Sequence, residues 1–143
     1  MKLPDLNLLI YAIDRSSPSH RPVVTWWNGL LSGNETVALS WTVLLGFVRL
    51  TTNPSIVHAP LDAHEALDYV DRWLAQPVTT VIEPTPRHAR VLRDLLGDTG
   101  TAGNLVSDAH LAALAIEHGA ELCSADRDFG RFPGLRWMNP LDR

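Results

Sequence analysis

Cysteine is nearly absent from this 143-residue chain, which carries only Cys123. One thiol closes no internal disulfide and builds no thiolate zinc site. That excludes disulfide-stapled secreted scaffolds and zinc fingers together, and it favours a reducing, cytoplasmic setting. Long apolar runs are also missing. No stretch approaches the roughly 18 uncharged residues of a membrane span, and Asp5 interrupts what would be a signal-peptide core, so the expectation is a soluble, unprocessed chain with no membrane partner. Lysine occurs once, at Lys2, and positive charge is not in excess: twelve Lys and Arg stand against sixteen Asp and Glu, a net charge of -4. A protein that coats nucleic acid by bulk charge has the opposite balance, so any nucleic-acid contact must be local. Repeats, low-complexity tracts and linkers are absent as well. The chain reads as a single domain over 1–143, long enough to bury about two-thirds of its unfolded surface in one core.

What is present is an alternation of short apolar runs and amphipathic segments. Lys2–Leu3 reads as a brief opening strand, kept short by Pro4, which cannot donate to a sheet ladder. Leu6–Ile13 reads as a helix. Ser19 and Pro22 open a second, with Val23, Trp26, Trp27, Leu30 and Leu31 at helical spacing until Ser32-Gly33. Thr36–Ser40 is a strand, followed by a mostly apolar helix over Trp41–Leu50. Asp62 caps a helix that Pro77 ends. Thr79–Ile82 is a third strand, Arg87–Leu96 a helix punctuated by Gly97 and Gly100, and Asn104 or Ser107 opens a last helix that runs to His118 and stops at Gly119. Glu121–Ser124 and Leu135–Met138 read as the fourth and fifth strands. Strands separated by helices imply a parallel sheet covered on both faces, an α/β architecture.

In such a sheet chemistry gathers beyond the C-terminal strand ends. Asp5 follows the first strand, Asp126 follows the fourth, and Asp108 stands in the first turn of an apolar helix. Three carboxylates brought together repel and raise at least one pKa unless a cation neutralises them. An all-aspartate set suits Mg²⁺ or Mn²⁺ and suits zinc poorly. The matching chemistry is phosphodiester hydrolysis, in which a metal ion activates water. Each acid also has a plain structural role: Asp5 as a helix cap, Asp108 as a charge at a helix start, and Asp126 with Asp128 as a turn before Phe129. A phosphatase with an aspartyl nucleophile is a further class, but it needs an acid where Asn7 stands and a mid-chain lysine that is lacking.

Several runs together carry a resemblance over nearly the whole chain. They are Asp5-Leu6-Asn7, Phe47-Val48-Arg49, the stretch from Asp108-Ala109-His110 to Ala115, and Ser124-Ala125-Asp126-Arg127-Asp128-Phe129, then Arg131 to Trp137 and Asn139-Pro140-Leu141. The chain resembles the PIN-domain ribonucleases of the VapC type, the toxins of type II toxin-antitoxin pairs. The resemblance implies a PIN-like (flavodoxin-like) α/β/α sandwich with a central parallel sheet. It also implies Mg²⁺-dependent cleavage (Mn²⁺ as an alternative) of structured RNA, tRNA or rRNA, which inhibits translation, a cognate antitoxin from the same operon, and a homodimer. Carried over by position, Asp5, Asp108 and Asp126 are the catalytic acids and metal ligands. Asn7 supports the site from behind them, and Asp128 is the alternate acid. One departure stands out: the family's usual Glu-x-x-Arg begins here with Gly46. Either the remaining acids still hold one metal ion or the chain is a weakened RNA- or antitoxin-binding module.

Other side chains invite expectations. Arg49, Arg127 and Arg131 are candidate RNA-phosphate contacts, with solvated ion pairs as the alternative. His110 lies about 200° around the helix from Asp108, so the two should not face one site. Cys123 reads as a small core residue. Adjacent Trp26 and Trp27 point about 100° apart and can hardly share one core, which marks Trp27, with Trp26 and Trp73, for an exposed groove that takes an antitoxin helix or a dimer partner. Core packing is the alternative.

Overall fold

A computed structural model describes residues 1–97, 103 and 105–142. Five strands form one sheet in the order β3-β2-β1-β4-β5, every neighbouring pair parallel. The strands are β1 (Lys2–Pro4), β2 (Val37–Leu39), β3 (Thr79–Val81), β4 (Glu121–Cys123) and β5 (Trp137–Met138). The helices are α1 (Leu6–Ile13), α2 (His20–Leu31), α3 (Trp41–Thr51), α4 (Ala63–Leu74), α5 (His88–Leu96) and α6 (Leu105–His118), with a 3-10 turn over Arg127–Arg131 in place of a helix between β4 and β5. This is the expected α/β fold. β2 is buried at all three residues, as an inner parallel strand covered on both faces requires. Asn104 and Gly100, proposed as helix punctuation, lie outside the described residues.

Pro4 corrects one expectation, because it belongs to the central strand, in register with Cys123. Lys2 directs its N–H to Thr36 of the β2 side and Asp5 to Cys123 of β4, so by alternation the donor that Pro4 lacks falls on the β2 side. There the β1 ladder is registered only at Lys2 with Val37, because the donor that would carry it on to Ala38 is the one Pro4 lacks.

Local signals explain the helix ends. Asp62 and Glu65 form a reciprocal capping box at the start of α4. Gly119 closes α6 at φ +66°, a conformation that an L side chain resists, and the chain turns at once into β4.

The tryptophans overturn the groove expectation. Trp27 and Trp73 are 3% and 6% exposed, and Trp26 is half-buried. Trp27 meets Trp73 edge-on at 5.8 Å, and Trp73 meets Phe47 at 4.8 Å, so the indoles form the aromatic centre of the core. The angular argument fails because α2 borders two packed clusters: Trp27 enters the larger while Trp26 packs against the edges of both. Trp27→Ala is expected to cost about 3–5 kcal/mol, read as a lower midpoint in urea unfolding. An unchanged midpoint would contradict this packing. Cys123 is fully buried and its thiol is pushed up to about 12 by desolvation, which suits a core residue and not a nucleophile.

Candidate active site

The chain builds outward from β1 to β2 and β3, then returns to lay β4 on the other side of β1. The connections diverge at that reversal and leave a crevice beyond the strand ends. Asp5 stands on one side of it and Ser124, Ala125 and Asp126 on the other.

Asp5 is held on both oxygens. Its backbone N–H donates to the Cys123 carbonyl at 2.8 Å, extending the ladder by one step. Oδ1 accepts from the Leu6 N–H at 2.7 Å, capping α1, and Oδ2 accepts from the Ser124 hydroxyl at 2.7 Å. Ser124 is fully buried, and its Oγ also accepts from the Asp126 N–H at 3.0 Å and from Asn7 Nδ2 at 3.3 Å. One hydroxyl thus joins the loops after β1 and β4. The Ser124 carbonyl accepts from the Trp137 indole at 3.0 Å, which ties this hub to β5. Asn7 therefore touches Ser124, and its Oδ1 reaches the Ala125 N–H at 3.5 Å.

Asp126 caps the 3-10 turn by accepting from the Asp128 N–H at 2.9 Å. Asp128 is exposed and pairs with Arg131 at 3.3 Å, while Arg127 pairs with Asp142 at 2.7 Å. Both arginines therefore sit in the surface ion pairs that were the alternative to phosphate contact. Arg49 differs, since it lines the cavity and forms no ion pair among the described residues.

Asp108 and Asp5 open onto one cavity of about 710 Å³, whose walls include Leu6, Gly46, Arg49, His88 and His110. Burial pushes the Asp108 carboxyl up to about 6, and the charges of Asp126, Asp5 and Asp128 add to that rise against the opposing pull of Arg131. Burial also raises Asp5, against the hydrogen bonds from Ser124 and Leu6. The acids thus repel one another across a shared space. Among the described residues, however, no three His, Cys, Asp or Glu side chains converge tightly enough to grip one ion.

Two features of the site, one on the cavity wall and one buried behind Asp5, were not legible in the chain. His110 lines it together with Asp108 despite their angular separation, because α5 packs against α6 and carries the wall around the helix. Burial and the neighbouring His88 hold the His110 pKa below its usual value. Ser124 was quoted only as part of a run, and no spacing rule marks a serine as the bridge between two aspartates. At Gly46, a Cβ would come within 2.8 Å of the Leu6 Cδ2, so the place where the resemblance expects an acid is closed by the end of a flexible leucine. The apolar rim is made by Leu45 and Val106, which are 62% and 47% exposed, not by the tryptophans named from the sequence.

Comparison with known proteins agrees with this geometry. The PIN domain model matches residues 2–135. Ribonuclease VapC37 of Mycobacterium tuberculosis is 47% identical over 140 residues, covering 98% of this chain and 97% of its own length. Ribonuclease VapC33 of the same species is 40% identical over 99% of each. Among solved structures, VapBC2 from Rickettsia felis bound to a promoter DNA fragment aligns with a TM-score of 0.69 at 23% identity, over 96% of this chain and 97% of the other. VapBC-1 from nontypeable Haemophilus influenzae gives 0.70 at 15% identity, over 99% and 98%. These last likenesses speak to the fold. A strand-reversal crevice flanked by aspartates, a domain model spanning nearly the whole chain and full-length relatives at 40–47% identity lead to one assignment: the chain belongs to the PIN-domain family, among the VapC ribonucleases.

Proposed function

We propose that this chain is a Mg²⁺-dependent endoribonuclease that hydrolyses phosphodiester bonds in structured RNA and acts as the toxin of a toxin-antitoxin pair, restrained by a cognate antitoxin. The carrying observation is electrostatic: Asp108 is raised to about 6 by burial and then by Asp126, Asp5 and Asp128, an excess of negative charge at one crevice that a hard dication would neutralise. The donors are all carboxylate oxygens, which suits Mg²⁺ or Mn²⁺. No three of the described side chains converge, so water would complete the shell of an ion held there, the habit of Mg²⁺. Asp5, Asp108 and Asp126 are the residues that would hold it. Asp126 is favoured over Asp128 as the third acid because it acts on both Asp5 and Asp108, whereas Asp128 is turned to solvent and paired with Arg131. When bound, the metal supplies an activated water and stabilises charge on the leaving oxygen.

The chain's own groups do the rest. Ser124 fixes the Asp5 carboxylate, Asn7 steadies Ser124, and Arg49, which has no ion-pair partner among the described residues, offers its guanidinium on the cavity wall for an RNA phosphate. The antitoxin partner is supported by solved relatives such as the Haemophilus VapBC-1 assembly, and a homodimer is the accompanying expectation. No helix among the described residues is long and apolar enough to cross a membrane.

Cleavage of total cellular RNA by purified protein tests this reading. Discrete fragments are expected with Mg²⁺, and they should vanish with EDTA and in Asp5→Ala. Gly46 motivates the second reading, a weakened binding module. A well-folded wild type that cuts nothing while Gly46→Glu cuts would establish that reading and overturn the first.

A further inference from the structure

Helix α5 faces two ways. His88 and Leu92, one turn apart, line the acidic cavity, and Leu95 is buried on the same side. Arg87 at the N-cap, Arg90 and Arg93 point away from it, and all three are exposed. Their spacing of three residues sets them within an arc of about 120°, roughly 4.5 Å apart along the axis, with Arg90 about 200° around from His88. The start of the helix is pinned, which fixes the direction of this face. Glu117 of α6 accepts from the Thr85 N–H at 2.9 Å and from the Thr85 hydroxyl at 2.6 Å, and it pairs with His88, whose Nε2 lies 2.9 Å from His110 Nδ1. The Arg87 guanidinium donates to the Glu117 carbonyl at 3.1 Å, an anchor that leaves its charge unneutralised.

Charge on this face runs against that of the chain. Sixteen acids outnumber twelve Lys and Arg overall, yet α5 and its cap carry three arginines against one acid, Asp94. Among the described residues none of the three arginines is in an ion pair. Like charges one turn apart destabilise a helix until something of opposite sign covers them. A phosphodiester backbone carries such charge at regular intervals, and its oxygens match the guanidinium fork. Where the scissile bond of an RNA longer than the cavity lies among the acids, the strand has to leave past one of the cavity walls, and α5 is a wall with a basic outer side. We propose that Arg87, Arg90 and Arg93 form a phosphate-binding face for the backbone of an RNA that extends beyond the cleavage site. The substrate is then held by a surface outside the acidic cavity as well as within it. The proposal rests on the nuclease reading of that cavity.

The test measures binding of the full-length protein to a total tRNA pool over a series of monovalent salt concentrations, with constant Ca²⁺ in place of Mg²⁺. Each phosphate contact adds about 0.9 to the slope of log affinity against log salt. Arg90→Gln/Arg93→Gln should weaken binding roughly tenfold at low salt and make the slope shallower by about 2. Arg90→Lys/Arg93→Lys keeps both charges and should keep the slope, which a merely structural role for the arginines would not predict. Arg15→Gln/Arg21→Gln removes the same charge from exposed positions on other segments and should bind with the wild-type slope. An equal loss in that control pair assigns the effect to bulk charge and overturns the proposal. Affinity and slope unchanged in Arg90→Gln/Arg93→Gln overturn it too, and if that variant also fails to bind its antitoxin, the face belongs to an acidic protein segment instead. A wild type that neither binds nor cuts RNA overturns the nuclease reading and this proposal with it. One that cuts RNA while the glutamine variant binds normally overturns this proposal alone.

Discussion

Asp108→Asn is expected to abolish RNA cleavage and at the same time to raise the melting temperature of the metal-free protein at neutral pH. The folded-state carboxyl is pushed up to about 6 from its ordinary 3.8, chiefly by burial and then by Asp126, Asp5 and Asp128. The native state therefore binds this proton more tightly than the unfolded chain does. Below pH 4 both states are protonated and the site costs nothing. As pH rises from 4 through 6 the unfolded chain releases its proton first, and above 6 the fold carries the full penalty of a repelled carboxylate. Screening at a part-exposed side chain reduces that penalty to about 1 kcal/mol. Neutral asparagine removes it, so the variant should melt roughly 3–5 °C above wild type at pH 7.5 and converge with it near pH 4. Adding Mg²⁺ should raise wild type more than the variant. Equal melting curves across the whole pH range would remove the electrostatic basis of the site.

Ser124→Ala removes a hydroxyl that satisfies three groups at once. Asp5 Oδ2 loses its donor, and the Asp126 N–H and Asn7 Nδ2 lose their acceptor. Ser124 is fully buried, so water does not easily replace it. Unsatisfied buried groups cost about 1–3 kcal/mol, which a urea midpoint will register. The larger effect should fall on cleavage. Partners that orient metal-binding side chains are typically worth 10–100-fold in metal affinity or activity, and Ser124 orients Asp5 while fixing the loop that carries Asp126. Ser124→Thr keeps the hydroxyl and should retain more activity than alanine. If alanine cuts as well as wild type, Asp5 needs no help from this hub.

These two residues also separate what was legible in the chain from what was not. Asp5 and Asp108 could be named because strand ends and helix starts are local signals: a short apolar run, a polar break, then helical spacing. The alternation of elements led to the parallel sheet for the same reason, and the single cysteine bounded the chemistry by arithmetic alone. Pro4 kept β1 short, as its missing donor requires, yet it belongs to the strand, because the bonds that pair it with Cys123 are carried by its neighbours. Trp27 misled because an angle around one helix carries no information about how many packed clusters surround that helix.

The sequence by itself determined the element order, the fold class, and the acids near the ends of β1 and β4 and at the start of α6. Periodicity, caps and turns act over a few residues, and such signals survive being read in one dimension. Only the tertiary structure decided that Ser124 bridges two loops across 119 positions to Asp5, that Leu6 fills the space beside Gly46, and that Glu117 reaches His110 through His88. Each of these is a contact between segments brought together by the strand reversal at β1 and β4 or by the packing of α5 on α6. Their energies depend on distances that no spacing along the chain encodes.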